Sequence, residues 1–127
     1  MPKILVVEDN KDTARMVVKV LEPHGHTVIT ALNGLDGLKL ARTELPDLIL
    51  MDMDLPDLDG KVVVNQLRAE RNFKGTPIIA FTADNSQRCQ RLAGLFGCNG
   101  FIAKPIDTRK FPAQIANYLT SEVTNEG

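Results

Sequence analysis

Four apolar stretches are each followed at once by a residue that can handle charge. Glu8-Asp9 follows Ile4 to Val7, Asp52 follows Leu48 to Met51, Thr82 follows Ile78 to Phe81 and Lys104 follows Phe101 to Ala103. If these stretches are neighbouring strands, three carboxylates converge at one sheet edge, repelling by roughly 3 kcal/mol per pair at ~5 Å and an effective dielectric near 20. Lys104 offsets part of that, and a hard divalent cation could offset the rest. A donor set of oxygens, with no His or Cys, points to Mg²⁺, which takes one or two carboxylates and leaves positions for phosphate oxygens. The Thr82 hydroxyl and the Lys104 ammonium are then suited to the oxygens of a phosphoryl group attached to Asp52. Alone, each residue has an ordinary reading: an Asp after a strand caps a helix or makes a turn, and a lone Thr or Lys lies on the surface. Their joint placement carries the argument.

Positioning these residues requires a particular set of elements. A fifth stretch, Val28 to Ala31, ends in Leu32-Asn33 with no chemical candidate. All five are strand-length and continuously apolar rather than alternating, which predicts strands buried on both faces of a parallel sheet. Helices are expected between them. Asp12 to Leu21 places Thr13, Met16, Val17 and Val20 at helical spacing, with Ala14 and Val18 widening the apolar arc, and stops at Pro23 and Gly25. A second helix carries Leu35, Leu38, Leu40 and Ala41 and stops before Pro46. The third covers Val62 to Arg71 after the cap-like Asp59-Gly60, the fourth Ser86 to Phe96 before Gly97, and the fifth Thr108 to Leu119. The pattern is (βα)5, an α/β doubly wound parallel five-stranded sheet with the flavodoxin-like order 2-1-3-4-5, whose ligands bind beyond the carboxyl ends of the strands.

The chain of 127 residues has room for one domain, 1–120, followed by a polar C-terminal tail, 121–127. Apolar residues at 43% and charged residues at 24% are a globular balance. With 15 Lys and Arg against 16 Asp and Glu, nothing favours nucleic acid or an anionic membrane. No stretch approaches the ~20 apolar residues of a membrane span, and no signal peptide is seen, so a cytoplasmic protein is expected. Cys89 and Cys98 lack metal-site spacing and are expected to be reduced, buried thiols.

Together these segments resemble the receiver domain of bacterial response regulators, from about residue 3 to 119. The matching pieces are Ile4 to Asn10, Pro46 to Pro56, Asp59-Gly60, Pro77 to Ala83 and Gly100 to Pro105. The resemblance implies a phosphoacceptor at Asp52, charged by a phosphohistidine on a histidine kinase or histidine phosphotransfer protein. It implies Mg²⁺ on Asp9, Asp52 and the backbone carbonyl of Asp54, with Glu8 acting through water. It also implies Lys104 and Thr82 at the phosphoryl group, and Thr82 with Phe101 as a switch pair that remodels the face of the fourth helix, fifth strand and fifth helix for a downstream partner. The expectation is a monomeric signalling phosphoacceptor that assists its own phosphorylation and dephosphorylation, not an enzyme. A cis Lys104-Pro105 bond is expected on the same ground. Asp54 and Asp84 are departures that leave the phosphoryl lifetime open.

A phosphatase of the haloacid dehalogenase type is the rival, because Asp52-Met53-Asp54 follows an apolar strand as its two aspartates do. That family places its nucleophile on the first strand and needs a further acidic pair after the lysine; here only Asp107 follows Lys104 before the tail. A flavodoxin-like binding module would want flanking aromatics, but Tyr118 is the only Tyr and there is no Trp. His24 and His26 read as solvated turn residues, Asn33-Gly34 as a helix entry, and Arg68, Arg71 and Lys74 as an exposed charged face.

Overall fold

The computed structural model describes residues 2–84 and 86–124. Strands β1 (Lys3–Val7), β2 (Thr27–Ala31), β3 (Leu48–Asp52), β4 (Ile78–Thr82) and β5 (Gly100–Ala103) alternate with helices α1 (Lys11–Leu21), α2 (Gly34–Glu44), α3 (Gly60–Ala69), α4 (Gln87–Leu95) and α5 (Phe111–Thr124). All strand pairs are parallel and the order is β2-β1-β3-β4-β5, as expected.

Successive strand side chains point to opposite faces, so each apolar run feeds two cores. Leu5, Val7, Ile49 and Met51 pack with Leu38, Val64 and Leu67 from α2 and α3. Ile4, Val6, Leu48 and Leu50 pack instead with Val17 and Leu21 of α1 and with Phe111 and Ile115 of α5. Burying a Leu, Ile or Phe side chain fully contributes about 1.5 to 3 kcal/mol. This explains the unbroken apolar runs of β1, β3 and β4. It does not hold for β2, whose side chains are largely half-buried or exposed because it is an edge strand.

Several helix faces differ from the expected ones. On α1 the buried residues are Ala14, Val17 and Leu21, while Met16 is 46% exposed. Ala14, Val17 and Leu21 form the i, i+3, i+7 stripe that packs, and Met16, about 100° round the helix from Val17, lies off it. On α2, Leu35 is exposed and Gly37 is buried, because a Cβ at Gly37 would stand 2.8 Å from Val7 Cγ2. At the end of α4, Phe96 remains exposed. Helix α5 starts at Phe111 and runs to Thr124, four residues into the segment read as tail; the remainder, 125–127, lies outside the described residues.

Two surface readings also change. Arg68 is half-buried and donates to the carbonyls of Gly97 (2.9 Å) and Phe73 and to Asn99 Oδ1. It therefore joins α3 to the α4–β5 turn instead of forming an exposed charged face with Arg71 and Lys74. His24 is exposed, but His26 is half-buried, and burial holds its imidazole below the usual histidine range. Cys89 and Cys98 are free and half-buried. No helix among the described residues is long and apolar enough to cross a membrane.

Candidate functional site

The strand register assembles the site. Val7 pairs with Met51 and Asp52 with Phe81, so Glu8 and Asp52 leave neighbouring central strands at one level. Thr82 pairs with Ala103, which places Lys104 just beyond the same edge. Local chemistry then fixes each loop. Asn10 caps α1, its side chain accepting from Thr13 N–H (3.0 Å), and Asn10 N–H donates to Glu8 Oε2 (3.0 Å), turning Glu8 inward. Asp59 caps α3 by accepting from Lys61 N–H (2.9 Å). Gly60 lets that cap lie against β3, since a Cβ there would come within 2.6 Å of Met53 Cα. The Lys104-Pro105 bond is cis, as expected.

Glu8, Asp52 and Thr82 are buried, whereas Asp9 is exposed. The Lys104 ammonium reaches Glu8 Oε1 at 2.5 Å and Asp52 Oδ2 at 3.4 Å, and stands 5.0 Å from the centre of the Phe81 ring. Asp54 N–H donates to Asp52 Oδ1 (2.9 Å), and Asp84 N–H to Thr82 Oγ1 (3.2 Å). Phe101 is partly buried against the α2–α3–α4 core, with its N–H directed to the Tyr118 hydroxyl at 3.4 Å.

Charge is balanced unevenly. Burial pushes the Asp52 carboxyl up to about 7, with the adjacent Glu8 adding to the rise and the Asp54 N–H and Lys104 opposing it. Desolvation, more than like-charge repulsion, is thus the leading cause. Burial acts to lower the Lys104 pKa, but Glu8 and Asp52 outweigh it and hold the ammonium above its ordinary range. Glu8, Asp9 and Asp52 each offer an oxygen, all within 4.8 Å of one another. An oxygen-only set with two buried carboxylates fits a hard divalent cation.

Every residue expected at the site on sequence grounds except Phe101 lies at this one edge; Phe101 sits inside β5, beneath the α4 side. Sequence reasoning missed Asp57, whose carboxylate accepts from the N–H groups of Gly34 (2.7 Å) and Leu35 (3.0 Å) at the start of α2. No periodicity signals a contact between residues 22 and 23 positions apart. It also missed Asn99, whose Oδ1 accepts from Ile78 N–H (2.8 Å).

A doubly wound sheet with an acidic pocket, a lysine and a threonine at its carboxyl edge defines a class, and comparison with known proteins agrees. Residues 4–116 match the family model of the response regulator receiver domain, and the chain belongs to that family: it is a phosphoacceptor receiver domain of two-component signalling. Among individual relatives, it is 37% identical over 120 residues to the polar-differentiation response regulator DivK of Brucella anthropi, covering 94% of this chain and 98% of that one. It also superposes on the chemotaxis response regulator CheY4 of Vibrio cholerae (TM-score 0.89, 27% identity, 93% and 98% coverage). A CheY-like receiver domain protein from Methanospirillum hungatei gives a TM-score of 0.90 at 26% identity, covering 100% of this chain and 99% of that one. Proteins of this family signal with histidine kinases and downstream partners and generally bind Mg²⁺.

Proposed function

We propose that Asp52 is the phosphoacceptor, with Mg²⁺ held by Asp9, Asp52 and the backbone carbonyl of Asp54, and with Glu8 acting on it through water. The observation that carries this reading is a buried carboxylate at the carboxyl end of a central strand, 3.4 Å from a lysine ammonium and inside a cluster of three acidic residues. Bound there, the cation supplies positive charge against the carboxylates and the incoming phosphoryl oxygens.

The chain's own residues do the rest. Asp52 attacks phosphorus; the O–P bond forms as the P–N bond of a phosphohistidine breaks, and the imidazole leaves with that electron pair. The Asp54 N–H bond holds the carboxylate plane in place before attack. Lys104, already drawn to this edge by Glu8 and Asp52, meets one phosphoryl oxygen. Thr82 Oγ1 accepts from Asp84 N–H, so its own proton is free to be donated to another. As Thr82 follows the phosphoryl group, Phe101 turns inward and the α4–β5–α5 face changes shape for a downstream protein. The phosphoryl donor is a histidine kinase or histidine phosphotransfer protein.

In this reading the protein is a cytoplasmic monomer that holds neither nucleic acid nor membrane, and it turns over no substrate beyond its own phosphoryl group. The near-neutral charge supports only the reading on nucleic acid and anionic membranes. The test is incubation with acetyl phosphate and Mg²⁺ followed by intact mass: one phosphoryl group per chain is expected, and none in EDTA. Many cycles of phosphate-ester turnover instead would make the protein a phosphatase and overturn the reading.

A further inference from the structure

The first turn of α2 has N–H groups that its own helix cannot satisfy. Asn33, the local cap, accepts from Asp36 N–H (2.8 Å) through its side chain and from Gly37 N–H (3.0 Å) through its carbonyl. The other two, on Gly34 and Leu35, are taken by Asp57, which belongs to the β3–α3 loop. The same carboxylate accepts from Leu58 N–H (3.0 Å), stiffening the loop around itself. Packing agrees with the hydrogen bonds: a Cβ at Gly34 would stand 3.0 Å from Leu58 Cβ, so the loop rests directly on the start of α2.

The base of that loop is pinned as well. Asp54 and Asp59 form an antiparallel bridge, and Gly60 N–H donates to the Met53 carbonyl (3.2 Å). Asp54 therefore stands in the bridge at the base of a loop whose apex is anchored at Asp57. Its N–H is committed to Asp52, and its carbonyl is the one backbone ligand in the functional reading.

We propose that Asp57 is a positioning residue for the cation: by clamping the β3–α3 loop to α2, it sets where the Asp54 carbonyl stands. The proposal rests on the reading of the site as a Mg²⁺ centre. In this role Asp57 is not itself a ligand: its carboxylate is committed to the N–H groups of Gly34, Leu35 and Leu58. A cap that served α2 alone would add stability and leave metal affinity untouched, and this separates the two roles.

The experiment is calorimetric titration of Mg²⁺ into wild type, Asp57→Ala, Asp57→Asn and Asn33→Ala, with the Mg²⁺ dependence of acetyl phosphate labelling measured alongside. Partners that hold a metal ligand directly cost about 10- to 100-fold in affinity when removed; acting through three residues of loop, Asp57→Ala is expected to weaken Mg²⁺ about 3- to 10-fold. Asp57→Asn retains one acceptor oxygen and loses less. Asn33→Ala removes the local cap without releasing the loop, so it lowers thermal stability but binds Mg²⁺ as wild type does. The labelling data are expected to show a higher half-saturating Mg²⁺ for Asp57→Ala. Unchanged affinity in Asp57→Ala, or an equal loss in Asn33→Ala, overturns this inference alone. A wild type that binds no Mg²⁺ overturns the functional reading with it.

Discussion

Replacing Asp52 by Asn should make the metal-free protein more stable. The carboxyl is buried, and its pKa stands at about 7 against an ordinary 3.8. A carboxyl raised in this way favours its neutral form in the fold. No stability is lost below the unfolded value; the loss begins as pH rises through about 4, grows until about 7 and is then constant. Some three pH units separate the two values, and at about 1.4 kcal/mol for each the ceiling is about 4 kcal/mol. The Asn removes the charge, keeps an oxygen for Asp54 N–H, and gives up the attraction of Lys104, so the net gain at neutral pH is about 1 to 3 kcal/mol. Urea denaturation of both proteins in EDTA at pH 4, 6 and 8 measures it, and the difference should be smallest at pH 4. Millimolar Mg²⁺ should then stabilise wild type more than the variant, which has lost a ligand. A variant less stable than wild type in EDTA at pH 8, or equal gains from Mg²⁺, would refute the reasoning.

Other outcomes follow from the same contacts. Arg68→Ala leaves the carbonyls of Gly97 and Phe73 without their guanidinium donor, and urea denaturation should show a loss of about 2 to 3 kcal/mol. Gly60→Ala drives a methyl group into the backbone of residues 52 and 53, so it should both destabilise the fold and slow acetyl phosphate labelling; labelling at the wild-type rate would contradict the close approach. Burial pushes the Cys98 thiol up to about 11, so iodoacetamide at pH 8 should label it slowly in the native protein and rapidly in urea. Fast native labelling would count against the packing around α4.

The sheet was legible because both of its faces are covered, which makes β1, β3 and β4 apolar at every position. The site was legible for a related reason: parallel strands in register deliver the residue after each strand to a common edge, so Glu8, Asp52, Thr82 and Lys104 could be grouped without coordinates. Contacts set by three-dimensional packing were not legible. Met16 fits the expected α1 stripe by spacing, yet the stripe that packs is Ala14, Val17 and Leu21, and Met16 stands off it. Arg68 looks like one of several surface cations until α3 brings it to Gly97 and Asn99. Asp57 sits in a loop with four other aspartates nearby, and nothing in its type or position announces that it reaches the start of α2. The helical reach of α5 to Thr124 was hidden by polar residues that composition alone assigns to a tail.

The central claim is that the phosphoryl group goes onto Asp52, and borohydride trapping tests it most directly. Hydride reduces an aspartyl phosphate to the alcohol and expels phosphate, leaving homoserine at the acceptor position. Trypsin releases the relevant region as residues 43–61, which holds Asp47, Asp52, Asp54, Asp57 and Asp59 in one peptide. Fragmentation of that peptide after phosphorylation and reduction should place homoserine at position 52 alone, and the Asp52→Asn protein should give none. Homoserine at any of the other four aspartates in the wild type, or undiminished trapping in Asp52→Asn, would contradict the account.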